Sequence, residues 1–171
     1  MRISARDRRS HRKNKLILVG CLILVVSVLI TTYFILNSPV HLLGWYSDSV
    51  FDIDGDRMYD SLNISTEVLI SKPGCYTFGA ILSANQPEPL RQDIDSTQVR
   101  ICVDRGFAQV QLRFPGKYIR ESGIDGPYLL SSLWVTDIDN PSPSELQSHL
   151  IAQRVEPYIT SFYKSTQFQA Q

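Results

Sequence analysis

Four aspartates within nine residues, Asp52, Asp54, Asp56 and Asp60, have the spacing best suited to chemistry in this chain. They stand at positions 1, 3, 5 and 9 of a loop in which alternate side chains converge on a hard cation, with the Met58 carbonyl at position 7 and Asn63 at position 12. The chemistry would be oxygen coordination of calcium. Two departures weaken the ligand set: Arg57 stands where glycine usually makes the sharp turn, and Asn63 offers one oxygen where glutamate offers two. The competing reading is a solvated acidic turn. Asp137, Asp139 and Asn140 make a second, weaker acidic turn of structural character.

Cys75 and Cys102 are placed symmetrically about the Pro-containing stretch 86–89, so in a symmetric hairpin they face each other. A disulfide and two separate thiols both remain open, and an oxidising compartment permits the former. Catalysis finds little to work with. His11, His41 and His149 have no second histidine or cysteine at metal-ligand spacing, and no G-x-S-x-G, H-E-x-x-H, P-loop or dinucleotide fingerprint occurs. An enzyme is not expected. Asn63-Ile64-Ser65 reads as a glycosylation sequon only in a source that adds N-glycans.

What positions these residues follows from the charge pattern. The 171 residues carry 17 basic and 17 acidic side chains, and these are segregated. Residues 1–15 hold seven basics (Arg2, Arg6, Arg8, Arg9, Arg12, Lys13, Lys15) against Asp7, a net +6; the remainder is −6. Residues 16–36, LILVGCLILVVSVLITTYFIL, are 21 in number and uncharged. As a helix they measure about 30 Å, the hydrocarbon thickness of a bilayer. The basic cluster on their N-terminal side places residues 1–15 in the cytoplasm and all that follows outside. That topology accounts for the cluster, so a nucleic-acid partner is not expected. The lipid bilayer is.

Other processing readings compete with a retained signal-anchor. A cleaved signal peptide would carry small residues before its cut, and no A-x-A-like triplet follows Leu36. Leu18-Val19-Gly20-Cys21 resembles a lipobox, although the apolar run continues well past Cys21. A pilin-like order of basic leader, apolar helix and β-rich head lacks the glutamate near the start of the helix.

Residues 37–46 read as a juxtamembrane linker, with Trp45 as an interface anchor or core residue. Beyond them, short alternating runs broken by Gly, Pro, Asp and Asn predict strands. Leu62, Ile64, Thr66, Val68 and Ile70 share one face; Tyr76, Phe78, Ala80 and Leu82 share another. Val99, Ile101 and Val103 follow, then a hairpin at Asp104-Arg105-Gly106, then Val110, Leu112 and Phe114. A short helical turn is expected within 118–126 and a strand at 128–136, with Leu133 and Trp134 on opposite faces. Two strands, near 150–155 and 158–163, close the domain, and a helix over 144–152 is the alternative there. The expected fold class is thus all-β: an immunoglobulin-like antiparallel sandwich of about seven strands over 47–171, after one transmembrane helix.

DIDGDRMYDSL, PGCYTFGAIL, QVQLRFPG, SGIDGPYLL and YITSFYKSTQF occur in that order. The set resembles the Ig-like sandwich module recurrent in bacterial and archaeal surface proteins, which opens D-x-D-G-D-G-L-Y-D, and it covers residues 51–168. The resemblance implies an adhesive, spacer or accessory domain without enzymatic activity. The expected function is therefore that of a single-pass membrane-anchored envelope protein. Its exterior sandwich would be a structural or protein-interaction module, calcium-stabilised, with an envelope or surface protein as partner. The alternative is a subunit of a pilus-like or secretion assembly.

Overall fold

The computed structural model describes residues 23–28, 38–138 and 149–170. It has two compact units, Met1–Ser38 and Pro39–Gln171. In the first, residues 23–28 are helical, and among the described residues no helix is long and apolar enough to cross a membrane. The span expected at 16–36 lies outside the described residues apart from those six, and so do the basic tail and Cys21.

In the second unit the described strands are β1 (Val40–Phe51), β2 (Ser61–Ile70), β3 (Gly74–Ala84), β4 (Asp93–Val103), β5 (Gly106–Pro115), β6 (Tyr128–Thr136) and β7 (Leu150–Ile159). A short helix, α1 (Gly116–Ser122), follows β5, and a 3-10 turn (Ser165–Gln167) lies near the C-terminus. The strands form two antiparallel sheets, ordered β1-β2-β5 and β4-β3-β6-β7. The fold is therefore an all-β sandwich, as its alternating sequence predicts.

Alternation decides the packing, because successive side chains of a strand point to opposite faces. The Leu62 to Ile70 set lies wholly inside, as do Phe78, Ala80 and Leu82 on β3, Val110, Leu112 and Phe114 on β5, and Leu130, Leu133 and Val135 on β6. Val99, Ile101 and Val103 of edge strand β4 pack against this core from a partly buried position. Trp134 points the other way, onto Gly79, where a Cβ would lie 2.2 Å from the indole. Glycine is required there by that close approach.

The registers define two ends. Val40, Ile70 and Gly106 lie together at one, with Gly74 and Val103 of the other sheet; we term this end proximal, since β1 begins there. Phe51, Ser61 and Pro115 lie at the opposite, distal end.

Three expectations differ from the structure. Residues 40–46 are not a linker but the start of β1, with Val40 and Leu42 in the core. The ladder slips between Leu42 and Tyr46, so residues 43–45 bulge opposite Glu67, and Gly44 takes φ +82°. Asp104-Arg105-Gly106 is not a hairpin within one sheet, because β4 and β5 belong to different sheets and the turn crosses between them. A single strand, β7, closes the second sheet; Glu156 takes φ +50° ahead of Pro157, and residues 160–164 leave the ladder. Of the helical alternative for 144–152, His149 is helical and residues 150–152 are strand, while 144–148 lie outside the described residues.

Candidate functional site

The acidic residues occupy the distal turn between β1 and β2. One carboxylate oxygen from each of Asp52, Asp54 and Asp60 lies within 4.8 Å of the others. Backbone N–H groups hold these carboxylates in place. Asp52 accepts from Gly55 (2.7 Å) and Arg57 (3.0 Å), Asp54 from Asp56 (3.1 Å), and Asp60 from Ile53 (2.5 Å). Arg57 takes φ +72°, the left-handed conformation for which such a loop ordinarily uses glycine. A side chain there costs conformational energy, and the carboxylate bonds across the turn offset it.

Of the residues whose spacing suggested a cation site, three aspartates converge. Asp56 is outside that group and instead accepts from the Met58 N–H at 2.7 Å. Asn63 lies beyond the loop, three residues into β2, in register with Ser49 and Arg113, and it is only 8% exposed. Its burial also argues against glycosylation of the folded sequon.

The rest of the loop is tied into the fold by aromatic residues far along the chain. Tyr59 forms a parallel bridge with Phe168, donating its N–H to the Gln167 carbonyl (2.8 Å) and accepting from the Gln169 N–H (3.0 Å). The rings of Tyr59, Tyr163 and Phe168 meet edge to face at 5.6–6.4 Å. Gln169 Nε2 reaches Asp54 Oδ2 at 3.2 Å. Arg120 of α1 donates to the Thr166 carbonyl, and Asp125 accepts from the N–H and hydroxyl of Ser165. The C-terminal segment thus straps the distal end beside the acidic loop.

A second constellation has no counterpart in the motif reading. Asp48, on β1, accepts hydrogen bonds from the hydroxyls of Tyr158 and Tyr163, the latter at 2.5 Å, and from the Ser161 N–H at 3.1 Å. Partial burial pushes the Asp48 carboxyl up, but these donors together outweigh it and hold the group below the ordinary aspartate range. Burial, reinforced by the Asp48 carboxylate, pushes the Tyr163 hydroxyl up to about 12 and raises Tyr158 as well. Tyr46 stacks on Tyr158 with ring centroids 5.6 Å apart. These contacts close β1 onto the β7 edge.

Cys75 and Cys102 face each other across β3 and β4, joined as a disulfide with sulfurs 1.99 Å apart. Asp137 contacts His149 Nδ1 at 2.9 Å, while Asp139 and Asn140 lie outside the described residues.

No family model matches the chain, and no curated protein matches it. Among solved structures it is similar to the C-terminal domain of Wzt, at 12% identity and TM-score 0.45, covering 74% of this chain and 78% of that one. It is similar also to a DUF4785 family protein from Legionella pneumophila (13%, TM-score 0.42, covering 72% of this chain and 29% of that chain). A third is a beta-D-mannosidase from Dictyoglomus thermophilum (11%, TM-score 0.41, covering 69% and 13%). The chain therefore spans less than a third of the length of the latter two, and no activity of theirs carries over at these scores.

Proposed function

We propose that the chain is a single-pass membrane-anchored envelope protein. Its extracytoplasmic sandwich, of immunoglobulin-like topology, serves as a structural or protein-interaction module rather than an enzyme. The observation that supports this best is one of sequence and position: a folded β unit begins at Val40, four residues after an uncharged run of 21 that seven basic residues precede. A three-stranded β1-β2-β5 sheet opposite β4-β3-β6-β7 supports the immunoglobulin-like reading. A reporter enzyme active only outside the cytoplasm, fused after Gln171, is expected to be active, and alkaline washing is expected to leave the chain in the membrane. An inactive fusion, or release by alkali, would refute the reading.

In this reading the Asp52, Asp54 and Asp60 group holds calcium weakly and orders the distal turn. With one converging oxygen each, the three carboxylates supply fewer than the six to eight oxygens calcium takes, so water completes the shell and affinity falls near 10⁻⁴ to 10⁻³ M, roughly the range of weak extracellular sites. Binding to the folded state alone stabilises it, so about 10 mM calcium is expected to add about 1–3 kcal/mol and raise the thermal midpoint. Asp54→Asn with Asp60→Asn keeps the turn's acceptors, removes two charges and abolishes the rise; Asp56→Asn retains it. Equal responses in wild type and the double variant would leave a solvated turn.

A further inference from the structure

The outer face of the three-stranded sheet changes character along its length. At the proximal end His41, Leu69 and Phe107 form one cross-strand row. Phe107 is 79% exposed, and Trp45, in the bulge of β1, is 72% exposed. The following rows are polar: Glu67 with Gln109, then Ser47, Ser65 and Gln111, then Ser49, Asn63 and Arg113. Two large apolar side chains thus stand in water at the proximal end, and three polar rows separate them from the less exposed Phe51 in the distal row with Ser61 and Pro115. Lys72 and Arg105 are exposed in the turns at that same end.

We propose that this proximal end rests in the headgroup layer of the bilayer, with Trp45, Leu69 and Phe107 at the acyl boundary and Lys72 and Arg105 against anionic headgroups. The proposal rests on the anchored reading above. Three residues, Asn37, Ser38 and Pro39, separate Leu36 from Val40, which makes four Cα-to-Cα steps. They span at most about 14 Å, so a spanning segment at 16–36 holds the start of β1 within that distance of the hydrocarbon edge. The headgroup layer is roughly 5–8 Å deep on each side. Strands rise about 3.3 Å per residue, so Leu69 and the bulge opposite Glu67 come within reach while the exposed Arg113, about 20 Å from Phe107, stays in water. Indole and phenyl rings beside basic side chains are the composition that interfacial segments use. A protein partner covering the same patch would have no need of its placement at the end where the chain leaves the membrane.

The test uses the full chain in phosphatidylcholine–phosphatidylglycerol vesicles with and without lipid brominated near the headgroup. Trp45 and Trp134 are the two tryptophans, so subtracting a Trp45→Phe chain isolates Trp45. Its emission is expected to be quenched by the brominated lipid. In the Trp45→Phe background, a Phe107→Trp reporter is expected to lose intensity too, and a Gln111→Trp reporter to be unaffected. If neither Trp45 nor the Phe107→Trp reporter is quenched while alkali leaves the chain in the membrane, the proposal fails and the anchor stands. Shielding of both from aqueous acrylamide without lipid quenching means that a protein covers the face, which also overturns it. Release by alkali overturns the anchored reading itself.

Discussion

An Asp48→Ala chain is expected to unfold about 2–3 kcal/mol more easily than wild type, because two tyrosine hydroxyls and the Ser161 N–H lose their shared charged acceptor at a half-buried contact. Thermal unfolding of the variant measures it, and an unchanged midpoint would mean that water replaces the carboxylate without loss. Asp48→Asn tests the charge. The folded-state pKa of Asp48 is depressed, so its contribution is present above the unfolded value of about 3.9 and is lost as pH falls through the folded one. Wild-type stability should therefore drop below about pH 4. Asp125, lowered by its bonds from Ser165, acts in the same direction; Asp95, raised by burial, acts in the opposite one. Tyr163, raised to about 12, contributes stability that is full below the unfolded value of about 10 and is lost as pH rises through 12. Asp48→Asn is expected to flatten the acidic slope and the alkaline one as well, because without the Asp48 carboxylate the Tyr163 hydroxyl is raised less.

Removing the disulfide with Cys75→Ala and Cys102→Ala is expected to cost more. The bridge closes a loop with a sequence separation of 27, and in the chain-entropy model a loop of that size stabilises by about 3.5 kcal/mol. Both residues lie on the outer side of their sheet, so small replacements leave the core intact. Denaturant unfolding of the oxidised chain and the double variant gives the difference. Oxidised wild type should also resist alkylation. Free reaction of both thiols in the folded, oxidised protein would remove the bridge and its effect.

Most of the sandwich could be read before its shape was known, and the misses have physical causes. β2 and β3 were legible because their apolar residues keep strict alternation over at least seven positions, as a buried face must. The first half of β1 was not. Its apolar Val40 to Tyr46 stretch follows a longer apolar run, and the bulge at 43–45 breaks the period of two where it would have identified a strand. The crossing at Asp104-Arg105 has the residues of a tight turn, and local turn chemistry says nothing about which sheet receives the next strand. Three of the acidic ligand candidates came from spacing alone. The Asp48 cluster could not, since its tyrosine partners lie 110 and 115 residues away. Phe107 left a signal that alternation itself supplied: an aromatic residue in phase with Gln109, Gln111 and Arg113, on the side of β5 that should be hydrophilic.

The bulge in β1 has a bearing on crowding. Among the described residues both sheets are open, so the outer margins of β1, β5, β4 and β7 are where a neighbouring molecule's strand could add. On β1 the bulge interrupts that margin at residues 43–45, and on β7 Pro157 removes a donor beside the kink at Glu156. β4 carries Asp95 and Arg100, and β5 carries Arg113. Molecules confined to a two-dimensional surface meet often and in similar orientation, which favours edge-to-edge growth of sheets. Irregular and charged margins make such growth unfavourable, so under the proposed anchoring the domain can be displayed densely without polymerising.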